Sequence, residues 1–197
     1  MRKRLFLLPG AVVFAAAAIA FTTPFTDPTT IIEIGDGNTV NNGLCDWDTL
    51  NGSNPTNGTN TPATFCGGGG ATLNAYVFLK GDLNEKNFTQ GGSKDPHDVS
   101  DWHWTVSSTP DKDTLTNAYA ISYTSSIGHK ILAFGGERFA VNGDANIGVW
   151  FFQQPVGPNA SGTFDGVHTN GDIFAVSAFT NGGGHPNLDV YEWDSAC

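Results

Sequence analysis

The chain has 197 residues, nine Lys and Arg against nineteen Asp and Glu, and a formal net charge of −10. This balance disfavours nucleic acid and anionic membranes as partners, because no basic patch is present to neutralise phosphates. The length is typical of one domain with a sizeable core. Its 25 glycines, together with abundant Asn, Thr and aromatic residues, favour short strands and tight turns over helices.

The first twenty residues have the three parts of a secretory signal peptide. The basic start Arg2-Lys3-Arg4 precedes an apolar run that ends in Ala18-Ile19-Ala20, where small residues suit a signal-peptidase cut. The alternative is an uncleaved anchor, but the run is short for a membrane span and Pro9-Gly10 interrupts it. Removal of residues 1–20 leaves six basic and nineteen acidic residues, a net charge of −13, and no later membrane span.

Residues 21–30 carry two prolines among threonines and predict an extended leader, and residues 31–197 predict a single domain. Residues 38–70 are rich in Asn, Gly, Thr and Pro, which predicts a long polar loop. Cys45 and Cys66 lie inside this loop. In an exported chain a disulfide between them closes a loop of about 20 residues and stabilises the fold by roughly 3 kcal/mol.

Most of the remaining chain has strand patterns separated by turn signals. Alternating or β-branched and aromatic residues predict strands at residues 30–34, 71–80, 102–106, 119–123, 130–134, 147–153, 172–180 and 187–193. Residues 147–153 are apolar on both faces, which predicts a central strand covered on both sides. Without a convincing helix between these strands, the pattern predicts an all-β fold, an antiparallel two-layer β-sandwich or jelly roll.

The strongest chemical pattern is a set of acidic residues in loops. Oxygen-rich loops suit Ca²⁺, which takes six to eight oxygen ligands from carboxylates and carbonyls. The candidate ligands are Asp95, Asp98, Asp101, Asp111, Asp113 and Asp144. Their spacing does not match an EF-hand loop. The alternative is that these side chains bond to their own backbone in turns, so the sequence leaves both calcium and turn formation open.

Aromatic residues give a second candidate site. Exposed rings on a sheet stack on sugars, and Trp102, Trp104 and Trp150 are the candidate ligand-binding residues. Trp102 and Trp104 are expected on one face of the strand at residues 102–106. Packing in the core is the alternative, since it is the commoner location of aromatic side chains.

Signatures of catalysis are absent from the sequence. The four glutamates lie far apart and form no paired-carboxylate motif of a glycosidase, and no Gly-x-Ser-x-Gly motif occurs. The five histidines form no metal-binding spacing and are expected in surface loops. We therefore expect a protein that is not an enzyme, with a glycoside-active enzyme as the least favoured alternative.

Six motifs together resemble a known but uncharacterised protein family. They are Gly92-Ser-Lys-Asp95, Asp98-Val-Ser-Asp-Trp102, Pro110-Asp-Lys-Asp113 to Ala120, Glu137-Arg-Phe-Ala-Val-Asn-Gly-Asp144 to Gln153, Gly171-Asp172 and Val190-Tyr-Glu-Trp193. The chain resembles, from Ile31 to Trp193, secreted bacterial domains found at the front of large cell-surface proteins. The resemblance implies one β-sandwich, an extracellular or surface location, and no assigned catalytic residues.

These observations lead to a functional expectation with one main alternative. We expect a secreted or cell-surface, non-enzymatic β-sandwich domain for adhesion or display, with cell-surface glycans or proteins as partners. The alternative is a carbohydrate-binding module with structural Ca²⁺.

Overall fold

The computed structural model describes residues 32, 39, 45–58, 61–66, 70–81, 86–89, 98–179 and 187–196. Its elements, in chain order, are α1 (Trp47–Asn51), β1 (Thr72–Lys80), β2 (Lys86–Phe88), the 3-10 helix η1 (Val99–Asp101), β3 (Trp104–Val106), β4 (Leu115–Thr124), β5 (Lys130–Arg138), β6 (Ala145–Phe151), β7 (Gly157–Pro158), β8 (Phe164–Asp165), β9 (Ile173–Phe179) and β10 (Asn187–Glu192). The signal peptide, the leader and the strand predicted at residues 30–34 lie outside this description, apart from Ile32.

The all-β class with antiparallel sheets is confirmed. Within the described residues, two sheets have three strands each, in the orders β1-β4-β5 and β10-β9-β6, and two small sheets pair β2 with β3 and β7 with β8. The chain divides into two compact units. The disulfide unit contains Ala18–Gly81 and Leu115–Glu137, and the aromatic unit contains Asp82–Thr114 and Arg138–Cys197. The union of all strands in a single two-layer domain stays a prediction.

The disulfide unit is organised by the alternation predicted for β4. Tyr119, Ile121 and Tyr123 are all buried, because alternate residues of a strand share one face. Strand β1 pairs antiparallel with β4 and adds Tyr76 and Phe78 to the same core. Burying each such side chain is worth about 1.5–3 kcal/mol, so this layer supplies much of the unit's stability.

The structure corrects the prediction that residues 38–70 are entirely loop. Helix α1 lies within them and buries Trp47 and Leu50, three residues apart on one face. The Asp46 side chain accepts a hydrogen bond from the Trp47 amide at the helix start, and Gly52, with φ of 71°, ends the helix by donating to the carbonyl of Asp48. A helix of five residues is too short to show a periodic pattern in the sequence.

The predicted disulfide between Cys45 and Cys66 is confirmed. The two Cα atoms lie 5.8 Å apart, within the normal range for a disulfide. Cys45 is buried beside α1 and Cys66 is partly buried against the same core. The bond therefore closes a loop within the polar segment, and both of its cysteines pack against the core of their own unit.

Two buried tyrosines give this unit a testable response to alkali. Burial raises the pKa of Tyr76 to about 12. Burial, with smaller contributions from the charges of Glu137 and Asp46, raises the pKa of Tyr119 to about 12 as well. An unfolded tyrosine ionises near 10, so both groups stabilise the fold below about pH 10, and this contribution is lost as the pH rises toward 12.

We expect an absorbance titration of the native protein to show that at least two tyrosines, Tyr76 and Tyr119, ionise only near pH 12, or together with unfolding. In urea all four tyrosines should ionise near pH 10. Ionisation of every tyrosine near pH 10 while the circular dichroism stays native would contradict the burial of these hydroxyls. Tyr119→Phe supplies the control, because it should remove one late-ionising group.

The aromatic unit is built on the sheet β10-β9-β6. Trp150 of β6 lies opposite Phe174 of β9, which in turn lies opposite Tyr191 of β10, so three aromatic rings share one face. Among the described strands β9 is central and β6 lies at the end of the order, which corrects the prediction of a central strand at residues 147–153. The prediction rested on the apolar residues on both faces of β6. Such a pattern indicates that both faces of a strand are covered, but it does not show whether the strand has a neighbour on each side in the sheet.

Short elements of this unit were missed by the sequence patterns. Strand β2 lies outside all the strands predicted from the sequence. Strands β7 and β8 have two residues each, below the length at which alternation is visible. The strand predicted at residues 102–106 begins only at Trp104, because Trp102 ends η1. In the part of the chain that is described, no helix has the length and apolar character of a membrane span.

Candidate functional site

A buried histidine lies at the centre of the aromatic unit. The side chain of His168, in the loop between β8 and β9, is 1% exposed. Its ring stacks on Trp193 at a centroid distance of 4.1 Å and lies 4.5 Å from the ring of Trp150. Trp102 meets it nearly at right angles at 5.4 Å, and Phe152 lies 5.5 Å away. We call these five residues the His168 cage.

Local structure explains why these rings meet. Trp150 and Phe152 are two residues apart on an extended chain, so they share a face, and their rings are stacked at 5.6 Å. Trp193 follows β10 directly, and Trp102 follows η1 with only 2% of its surface exposed. The cage therefore consists of rings at or near the ends of η1, β6 and β10, which surround one imidazole.

Asp172 fixes the position of this loop. The residue is 0% exposed. Its Oδ1 accepts a hydrogen bond from the amide of Gln153 at 2.9 Å, and its Oδ2 accepts one from the amide of Thr169 at 2.9 Å. Its backbone carbonyl accepts from the amide of Trp193 at 2.8 Å. One aspartate thus joins the segment after β6, the loop before β9 and the segment after β10.

The pairing of His168 with Asp172 resembles the histidine–carboxylate pairs of hydrolases, but its surroundings differ. His168 Nδ1 lies 3.4 Å from Asp172 Oδ2, and both side chains are almost fully enclosed. Among the described residues, neither ring nitrogen of His168 makes a hydrogen bond, and neither does Trp102 Nε1. Both side chains are thus shielded from solvent, and the backbone hydrogen bonds of Asp172 hold the loop that carries the imidazole.

The two residues were not predicted as a pair. The expectation that the histidines lie in surface loops is wrong for His168, whose side chain is buried. A histidine in an irregular loop has no periodic pattern that reports its burial. The available signal was Gly171-Asp172, directly before a strongly apolar strand, where an acid commonly bonds to nearby backbone amides.

The three candidate ligand-binding tryptophans have different environments. Trp102 belongs to the buried core of the aromatic unit, and Trp150 is half-buried in the His168 cage. Trp104 is half-buried on β3, where its indole N–H donates to the carbonyls of Asn159 and Thr163, at 3.1 Å each. The structure does not place Trp102 and Trp104 on one strand, and ligand binding by these residues stays a prediction.

The small sheet of β2 and β3 presents a partly exposed aromatic face. Phe88 lies directly opposite Trp104, and Lys86 directly opposite Val106, so all four side chains share a face. Phe88 is 48% exposed and its ring stacks on that of Phe164 at 5.2 Å. The ammonium of Lys86 lies 5.1 Å from the ring centroid of Trp104. We call these four residues the β2–β3 face.

The candidate calcium ligands are spread over several loops. Asp95 lies outside the described residues. Those that are described, all of them exposed, are Asp98, Asp101, Asp111, Asp113 and Asp144. Within the described residues no group of three or more His, Cys, Asp or Glu side chains is arranged to hold a metal ion. A calcium site stays a prediction.

Next to Asp144, one of the candidate calcium ligands, lies the ammonium group of Lys112. The ammonium of Lys112 donates a hydrogen bond to the backbone carbonyl of Asp144 at 3.1 Å. Arg138 donates to the carbonyl of Lys112 at 3.4 Å and places its guanidinium 5.4 Å from the ring centroid of Phe179. These contacts connect the turn at residues 110–113 with the loop between β5 and β6.

Comparison with known proteins identifies no relative of this chain. A scan against protein-family models, a search of curated proteins and a search of solved structures each find no match to this chain.

Proposed function

We propose that the chain is a secreted or cell-surface, non-enzymatic β-rich domain for adhesion or display, of the kind its motifs resemble. The observation that carries the proposal is the enclosure of the His168–Asp172 pair. These side chains are 1% and 0% exposed, and the hydrogen bonds of Asp172 serve the packing of three chain segments. We therefore assign to His168 and Asp172, which resemble a catalytic pair, a role in packing these chain segments together.

The Cys45–Cys66 disulfide supports the extracellular part of this proposal. Disulfides form and persist in oxidising compartments and are rare in the cytosol. The basic and apolar residues 1–20 supply an export signal of the expected composition. Partners are then molecules of the cell surface, either glycans or proteins.

Expression with the native leader in a bacterial host tests the location. We expect the protein in the medium or at the cell surface, with Cys45 and Cys66 protected from thiol reagents until a reductant is added. Retention in the cytoplasm with reactive thiols would contradict the proposal. A chain that lacks residues 1–20 is the control and should remain inside the cell.

A carbohydrate-binding module with structural calcium is the second candidate, and the β2–β3 face favours it. An aromatic ring that is supported from one side keeps a fixed orientation, and it therefore loses little conformational entropy when it stacks on a sugar ring. Phe88 is stacked on Phe164, and Trp104 is held by two hydrogen bonds to its indole N–H.

For this second candidate, we expect Trp104→Ala to weaken binding to glycans on an array by about tenfold, the effect of losing one aromatic contact. Trp104→Phe keeps a ring and should lose less. Phe139→Ala is the matched control, because Phe139 is an exposed aromatic side chain in another loop, at 62% exposure. Equal losses in Trp104→Ala and Phe139→Ala, or no glycan bound by the parent protein with and without Ca²⁺, would eliminate this candidate.

A further inference from the structure

Asn-Gly sequences are the most reactive positions of a polypeptide toward loss of ammonia. The peptide nitrogen of the glycine attacks Cγ of the asparagine, the bond from Cγ to Nδ2 breaks, and ammonia leaves. Water then opens the cyclic imide at either carbonyl and gives aspartate or isoaspartate. Because glycine has no side chain to block the approach, the folded structure decides which Asn-Gly pairs react. The reaction needs an asparagine amide and a glycine N–H that are not held by other groups.

The structure describes four Asn-Gly pairs, and the two in the disulfide unit are both held. Asn51 accepts a hydrogen bond from the hydroxyl of Tyr76, while the N–H of Gly52 donates to the carbonyl of Asp48. The side chain of Asn57 accepts a hydrogen bond from the amide of Lys80. The N–H of Gly58 donates to a backbone carbonyl of β1 at 2.8 Å. In both pairs, the asparagine side chain and the glycine N–H each make a hydrogen bond.

In the aromatic unit one pair is held and the other is not. Asn170 accepts from the amide of Ser195 at 2.9 Å, and the N–H of the following glycine donates to the carbonyl of Trp193 at 2.9 Å. Asn142 and Gly143 lie in an exposed turn between β5 and β6. Among the described residues neither the side chain of Asn142 nor the N–H of Gly143 makes a hydrogen bond.

The surroundings of this turn also favour reaction. Val141, directly before it, is 68% exposed, so its side chain adds little packing to the turn. Gly143 has a φ of 76°, a backbone conformation that glycine adopts without steric cost. Segments with few buried contacts open at small free-energy cost, and the cyclic intermediate needs such local freedom.

We propose that Asn142 is a deamidation site of the folded protein and the preferred one among the four described Asn-Gly pairs. Conversion replaces a neutral amide with a carboxylate two residues from Asp144. The isoaspartate product also inserts one methylene group into the main chain of the β5–β6 loop. This inference is independent of the proposed function, since it depends only on the hydrogen bonding of the four pairs.

Ageing of the purified protein at mildly alkaline pH, followed by peptide mapping with mass spectrometry, tests the site. We expect the peptide with Asn142 to convert at least about tenfold faster than those with Asn51, Asn57 and Asn170, because only the latter need local unfolding. In urea with reductant the four rates should become similar. The variant N142Q should fold like the parent and should lose the fast conversion.

Two results would overturn the proposal. One is a folded-state rate at Asn142 equal to or below the rates at the other three pairs. The other is a difference in deamidation rate between Asn142 and the other three asparagines that persists unchanged in urea, because the local sequence and not the fold would then set the rates.

Discussion

Replacing Asp172 with alanine is expected to destabilise the protein by about 4 kcal/mol, since each buried donor that loses its partner costs about 1–3 kcal/mol. The carboxylate accepts hydrogen bonds from the amides of Gln153 and Thr169, and it faces the imidazole of His168. Without it, the amides of Gln153 and Thr169 lack an acceptor, and the loop before β9 loses its connection to the segment after β6. Urea unfolding followed by tryptophan fluorescence measures the loss, because the His168 cage contains three tryptophans.

A conservative variant and a surface variant make this result specific. Asp172→Asn keeps one acceptor oxygen and should cost less, about 2 kcal/mol. Asp98→Asn removes the same charge from an exposed residue whose side chain does not cap η1, and it should change stability by less than about 0.5 kcal/mol. If Asp172→Ala unfolds at the same urea concentration as Asp98→Asn, the carboxylate does not hold these segments together.

Reduction of the Cys45–Cys66 bond is expected to lower the free energy of unfolding by about 3 kcal/mol, since the bond closes a loop of 21 residues. The released segment includes α1, which buries Trp47 and Leu50 in the core of the disulfide unit. A helix of one turn does not persist without such packing. The loss should therefore appear as exposure of Trp47 together with a lower unfolding midpoint.

The double variant Cys45→Ser, Cys66→Ser separates the bond from the reducing agent. It should match the reduced parent and should not respond to reductant. An oxidised parent and a double variant with equal unfolding midpoints would show that packing of the segment, and not the covalent link, determines its stability.

The sequence predicted the regular parts of the fold well and the connections poorly. Alternation at residues 119–123 made the second half of β4 recognisable, and strands were also predicted at the positions of β1, β9 and β10. Helix α1 and strands β7 and β8 are too short for any periodicity to emerge. Their formation depends on tertiary contacts such as the covering of Trp47, which no local pattern contains.

The candidate site was harder to predict for the same reason. The sequence identified the tryptophans as candidate ligand-binding residues, but it could not predict which of them are exposed, because a strand pattern does not say which face is covered. Trp102 proved to be buried, whereas Phe88, which lies outside every predicted strand, is 48% exposed on β2. The cage around His168 is assembled from residues as far apart in the chain as Trp102 and Trp193, and single-sequence reasoning cannot bring these together.

The discontinuous composition of the two units has a consequence for biosynthesis. Leu115–Glu137, which supplies β4 and most of β5 to the disulfide unit, interrupts the aromatic unit in the chain. Strand β4 pairs with β1, whose residues lie between 37 (Lys80 with Asn117) and 52 (Thr72 with Thr124) positions upstream of their partners. Neither unit is therefore a contiguous fragment that a ribosome or a secretion pore could release in finished form. Native pairing must wait for late-emerging residues, and such non-local topology slows folding. Fragments cut at Gly81 or Thr114 should stay unfolded until both halves are mixed.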